Sequence, residues 1–148
     1  MKVTVEEIAN LSQTEVIIKC QKRSDKIDSL VASLRLFDKK LSVKKEGRNY
    51  LIATQDIYYF ECVDNKIFCN CKTEVYETNV RLYEVEEAFA NTTFLRVNKY
   101  IVLNAAKIKS FKSALNGRMD AILWNDEKVE ISRNYVPALK VILGGIKK

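Results

Sequence analysis

Histidine is absent from the 148-residue chain. Without it there is no Ser-His-Asp or Cys-His arrangement, no imidazole metal ligand and no imidazole general base, so the commonest hydrolytic and metal-assisted chemistries lose their usual residues. Proline occurs once and glycine four times, too few for a collagen-like or linker-rich chain. No apolar run approaches the roughly 18 to 20 residues that cross a bilayer. The first residues, MKVTVEEIANLSQTEV, alternate charge with aliphatics, where a secretory leader carries a basic start and a continuous apolar stretch. The expectation is a cytoplasmic chain, neither secreted nor membrane-spanning, for which the Asn91-Thr92-Thr93 glycosylation sequon is a coincidence. Length excludes two large domains and suits one body with a short appendage. A composition of 47% hydrophobic and 30% charged residues suffices to bury a core.

Cysteine is present four times, as Cys20, Cys62, Cys69 and Cys71. In a reducing compartment these stay thiols. Cys69-Asn70-Cys71 with Cys62 upstream lacks the spacing of a Cys-x-x-Cys metal pair and has no histidine to complete it. The simpler reading is a set of small apolar residues on one strand face. No metal and no cofactor is expected.

The net charge of +6 is unevenly distributed. Residues 1–42 hold eight Lys/Arg against six Asp/Glu, residues 43–90 six against nine, and residues 91–148 eleven against four. The final third therefore carries +7, preceded by the acidic group Glu84, Glu86 and Glu87. Cations gathered in this way neutralise phosphates, release counterions and give sequence-independent affinity for nucleic acid. A basic surface that is merely solvated remains the alternative on charge alone.

Residues 14–20, TEVIIKC, alternate as a strand does. Residues 24–38 place Ile27, Leu30, Val31, Leu34 and Phe37 three and four apart, with Ser24 as a helix N-cap. Residues 1–42 thus read as a short strand-helix unit, which is either a dimerisation element or an appendage docked on the main body, residues 43–148. From residue 41 the pattern turns to short strands divided by Glu46-Gly47, Asp64-Asn65, Asn116-Gly117 and Asn125-Asp126, which are hairpin signals. Ile67, Cys69 and Cys71 share one face, as do Met119, Ala121 and Leu123. Consecutive hairpins predict a mainly β, antiparallel body. Two more helical patches are expected, over 79–90 and in VPALKVIL, where the lone proline suits a first turn.

Three pieces then stand in order. The hairpin IYYFECVDNKIFCNC is followed by Phe94-Leu95-Arg96-Val97-Asn98-Lys99-Tyr100-Ile101-Val102-Leu103-Asn104, and later by Ser132-Arg133-Asn134-Tyr135. Over residues 43–146 the chain resembles the LytTR family of bacterial DNA-binding domains. More narrowly, it is similar to the compact LytTR regulators that carry no phosphoacceptor domain and are often encoded beside a small membrane protein. The resemblance implies an elongated antiparallel β fold whose inter-strand loops, in place of a recognition helix, enter two successive major grooves of double-stranded DNA and the minor groove between them. It also implies a transcriptional regulator that binds as a homodimer. Carried over residue by residue, the DNA-contacting positions are Asn65 and Lys66, Asn98 and Lys99, and Arg133. Asn98 and Tyr100 stand where many relatives place His or Ser and Ser, so the operator sequence does not transfer.

These residue types suit the task. Arginine and lysine donate to guanine O6 and N7, and asparagine pairs with adenine N6 and N7. Lys107, Lys109, Lys112, Arg118 and Lys140 match no base-reading motif and are left to phosphates or to solvent. Arg96 has two readings, DNA contact or a pairing with an acidic neighbour such as Glu61 that positions the loop. Tyr135 reads as core, Arg133 alternatively as a helix-start residue after Ser132, and Asn104 as a group that satisfies a turn. Two rival functions are an interaction module that binds a membrane partner without touching DNA, and a small enzyme built on Glu61, Cys62 and Asp64. The latter has no base, phosphate loop or metal set beside it. No catalytic residue and no small-molecule substrate is expected.

Overall fold

Tight hairpins of this chain fall on residues with left-handed backbone: Glu46 and Gly47 (φ 52° and 74°), Asp64 and Asn65 (φ 52° and 63°), and Asn116 and Gly117 (φ 60° and 76°). Two successive positive φ angles give the twist that closes antiparallel strands without splaying them. The computed structural model describes residues 1–37 and 39–146, with no account of the side chains of residues 145 and 146. Among the described residues the elements are α1 (Asp25–Leu36), β1 (Lys40–Lys45), β2 (Arg48–Ala53), β3 (Tyr59–Val63), β4 (Lys66–Asn70), β5 (Val75–Thr78), α2 (Leu82–Ala88), β6 (Phe94–Asn98), β7 (Ile101–Asn104), β8 (Ile108–Ser113), β9 (Met119–Leu123), β10 (Lys128–Ile131) and α3 (Val136–Ile146). Pro137 occupies the first turn of α3, where a missing N–H costs little.

Every strand pairing is antiparallel. The strands form a seven-stranded sheet in the order β2-β1-β5-β4-β3-β7-β6 and a three-stranded sheet in the order β10-β9-β8. Alternation along β3 and β7 decides what covers each face of the large sheet. Phe60 and Val102, which pair in register, point to one side. There they join Leu82 and Val85 of α2, Phe89 and Phe94 in one buried cluster, with the Phe60 ring 5.8 Å from both Phe89 and Phe94. Tyr59 and Leu103, also in register, belong to the second cluster, with Val97, Met119, Ala121, Leu123, Val129, Ile131, Leu139 and Leu143. The small sheet and α3 thus cap one face, and α2 the other.

Ser24 caps α1 by accepting the Ile27 N–H at 3.4 Å. The helix lies along α3, and Ser29 Oγ donates to the Ile142 carbonyl at 3.4 Å. Leu36 at its end is sealed into the cluster with α2. The strand expected over residues 14–20 does not form: these residues have no strand partner and, apart from half-buried Ile18, are exposed. A strand requires a neighbour for its N–H and C=O groups, and the first strand of the sheet begins only at Lys40. The N-terminal unit is therefore a helix preceded by an extended arm. All four cysteines are free thiols, with Cys69 buried on the same face as Ile67. Among the described residues no helix is long and apolar enough to cross a membrane.

Leu103 is fully buried between the two sheets. Leu103→Ala is expected to lower stability by about 2 to 5 kcal/mol, read as a shift of the denaturant midpoint with little change in slope.

Candidate nucleic-acid interface

The passage from Phe94 to Asn104 folds as β6, a two-residue turn at Lys99 and Tyr100, and β7, with a bulge between Arg96 and Asn98. Arg96 holds that turn. Its Nε donates to the Asn98 carbonyl at 2.9 Å, one terminal nitrogen donates to the Lys99 carbonyl at 2.7 Å, and the other pairs with Glu86 on α2. Of the two readings of Arg96, the geometry matches loop positioning, but the acidic partner is Glu86 and not Glu61. The Glu61 carboxyl instead sits above its ordinary range, because of partial burial first and the nearby Glu127 charge second.

Asn98 is similarly occupied. Its Nδ2 donates to the Glu130 carbonyl at 2.8 Å and its Oδ1 accepts the Tyr100 N–H at 2.8 Å. One amide N–H and one lone pair of Asn98 thus fix the turn, and the second of each remains. Lys99 is the exposed group of the pair, with its ammonium 5.7 Å from the centre of the Tyr100 ring.

Backbone contacts carry the other loops to the same end of the molecule. Ser132 N–H donates to the Val97 carbonyl at 2.8 Å, which sets Arg133, the first residue of a 3₁₀ turn over Arg133–Tyr135, beside the Lys99 turn. Cys62 N–H donates to the Tyr100 carbonyl at 2.9 Å, so the tip of the β3–β4 hairpin, with Asn65 and Lys66, projects next to the β6–β7 turn. Asn65, Lys66, Asn98, Lys99 and Arg133 therefore gather at one end of the fold, all exposed except half-buried Asn98. Among the described residues, none of Lys66, Lys99 and Arg133 has a carboxylate within salt-bridge distance.

A fourth loop also reaches this end, and the sequence pointed to it only as a turn. Met119 pairs with both Ser113 and Ile131, which brings the β8–β9 turn alongside the start of the Arg133 segment. A Cβ on Gly117 would lie 2.9 Å from both Cγ and Cδ of Arg133. The arginine stem thus rests on a glycine whose φ of 76° also disfavours any side chain. Arg118, next in sequence, pairs with Glu130 at 3.2 Å.

The remaining cations divide. Lys107 lies 5.1 Å from the centre of the Tyr58 ring, and Lys109 pairs with Asp126 at 2.7 Å and lies 5.9 Å from the Trp124 ring centre. Both sit at the opposite end of the small sheet, beside the β9–β10 turn. Lys112 on β8 and Lys140 on α3 are exposed. Glu61, Cys62 and Asp64 lie along β3 and into its turn. Tyr135 packs half-buried against the inter-sheet cluster. Among the described residues no group of three or more Cys, Asp and Glu side chains is arranged to hold a metal ion.

A family model described as the LytTr DNA-binding domain matches residues 47–144. The Sensory transduction protein LytT of Enterococcus faecalis is 30% identical over 104 residues, which cover 70% of this chain and 43% of that protein. LytT of Bacillus cereus is 29% identical over 104 residues, 70% of this chain and 42% of that protein. The Transcriptional regulatory protein LytR of Staphylococcus aureus is 23% identical over 108 residues, 73% of this chain and 44% of that protein. The matched stretch is thus less than half of each relative. Among solved structures, the LytTr DNA-binding domain of a Bacillus cereus protein described as a methyl-accepting/DNA response regulator superposes with a TM-score of 0.67 at 20% identity, over 72% of this chain and 98% of that one. It shows the same fold.

Removing the Arg96 side chain should loosen the turn without removing any group from its outer surface. For Arg96→Ala, hydrogen exchange at the amides of residues 98–101 is expected to accelerate about tenfold or more, the equivalent of roughly 1.4 kcal/mol of local opening, while the amides of β9 keep their protection.

Proposed function

The chain belongs to the LytTR family of DNA-binding domains, and from that membership we propose that it is a cytoplasmic transcriptional regulator that grips double-stranded DNA with the loops gathered at one end of its sheets. The observation that carries this reading is the convergence of Lys66, Lys99 and Arg133, from three separate loops, on one exposed end, none of the three in a salt bridge among the described residues. Cations with no carboxylate partner are the ones free to displace counterions from phosphates and to donate to base edges.

In this proposal the three loops, carrying Asn65 and Lys66, Asn98 and Lys99, and Arg133, enter two successive major grooves and the minor groove between them, with Arg133 donating to a guanine edge and Asn98 also shaping its turn. Two copies occupy paired half-sites a whole number of helical turns apart, which raises occupancy through effective concentration rather than through more contacts per chain. The names of the relatives, sensory transduction and transcriptional regulatory proteins, agree with a regulator. A small membrane protein encoded nearby is the partner class that the resemblance implies for its input. No substrate is turned over.

A footprint on DNA upstream of the chain's own coding sequence, at two salt concentrations, tests the class. Protection on one face across two adjacent turns, weakening steeply with salt, is the expected result; no protection at low salt would overturn it and favour a protein-only partner. On a site so found, Arg133→Ala is expected to cost about 1 to 3 kcal/mol and to relax discrimination at one base position. Lys109→Ala, at the far end, leaves the salt slope unchanged, whereas Lys99→Ala flattens it by about one unit. Equal slopes for those two variants would place the interface elsewhere.

A further inference from the structure

The extended arm ahead of α1 exposes a β pattern with no strand partner among the described residues. Residues 14–20 read Thr-Glu-Val-Ile-Ile-Lys-Cys, and Val16 and Ile17 are 64% and 75% exposed. Bulky β-branched residues with unpaired backbone groups are a template for another strand.

The charges indicate which strand. Glu15 and Lys19 flank Ile17 symmetrically. When this segment pairs antiparallel with a copy of itself about Ile17, each Glu15 faces a Lys19, each Val16 faces an Ile18, and Ile17 faces Ile17. Opposite charges across a strand pair stabilise and like charges destabilise, so the parallel in-register alternative, Glu15 on Glu15, is disfavoured. None of the four sheet edges answers both ends of the segment: β2 carries Arg48 and β6 Arg96 as their one charged residue, β8 carries lysines only, and in β10 Lys128 and Glu130 stand two residues apart where Glu15 and Lys19 stand four apart.

We propose that residues 14–20 form the central antiparallel pair of a two-fold dimer with a second copy of this chain. The inference rests on the reading of two copies at paired half-sites and supplies the surface that joins them. Through α1, which the arm leads into and which packs on α3, the seam is linked to the helix that continues directly from the Arg133 turn. Dimerisation thereby fixes how far apart two DNA-gripping ends can stand.

Sedimentation of the full chain without DNA tests this, with retention of a DNA fragment carrying one half-site as a separate readout. The parent is expected to sediment as a dimer at micromolar concentration, and Ile17→Asp, which sets two carboxylates face to face, as a monomer that still folds and still binds the single half-site. Glu15→Lys and Lys19→Glu should each weaken dimerisation on the order of tenfold, and the double exchange Glu15→Lys/Lys19→Glu should restore it. A monomeric parent, as an arm folded back on its own chain would give, overturns the proposal. So does a double variant no better than the singles. Failure of the parent on the single half-site counts against the DNA reading and leaves the dimer result standing.

Discussion

The pairing of β3 with β7, buried on both faces, is the constraint on which the rest of the molecule depends. A slip of one residue would carry Phe60 and Val102 to the side of Tyr59 and Leu103, exchanging every inward group between two differently shaped cores. The register is also pinned by a buried polar contact. Asn104 donates to the Ile57 carbonyl at 3.0 Å and accepts from Thr93 Oγ1 at 2.7 Å and from the Ala106 N–H at 3.2 Å, so displacing β7 would orphan several groups at once. Because the hairpin tips are extensions of these strands, core packing sets where Lys66 and Lys99 stand in space.

Features that depend on neighbours in sequence were legible in the chain. The Asn and Gly residues at turn centres announce hairpins because few other residues tolerate positive φ, and Ser24 announces α1 because its hydroxyl accepts an early helical N–H. Alternation in β9 shows directly which residues are buried, and in β4 it does so up to Cys69, after which Asn70 is buried on the opposite face. Features that depend on a distant partner were not. Residues 14–20 have the composition of a strand, but a strand is a property of a pair, and among the described residues no second member stands beside them. The acidic partner of Arg96 was sought on β3 at Glu61, whereas α2 delivers Glu86 by crossing the sheet face, a tertiary fact with no local signature.

The candidate site shows the same division. The motif from Phe94 to Asn104 brought attention to Asn98 and Lys99 together, since both are polar and adjacent at a turn. Their difference lies in the third dimension, where the Glu130 carbonyl and the Tyr100 N–H claim the Asn98 amide and leave the Lys99 ammonium outward. Gly117 carried a turn signal but no hint that the Arg133 side chain lies across it.

Net charge alone overstates the candidate interface and misplaces part of it. The +7 of the final third includes Lys109 held by Asp126, Arg118 held by Glu130, and Lys107 over the Tyr58 ring, and two of those three lie at the end away from Arg133. What distinguishes the candidate end is that Lys66, Lys99 and Arg133 form no salt bridge among the described residues, together with the rigidity of the Lys99 turn. A loop that had to order itself on DNA would lose affinity to conformational entropy, whereas Arg96 and Asn98 already hold the Lys99 turn through four hydrogen bonds. A helix supplies such preorganisation through its own backbone ladder; a turn has to obtain it from neighbouring side chains. That requirement accounts for an arginine and an asparagine in the turn motif that face the protein, beside a lysine that faces outward.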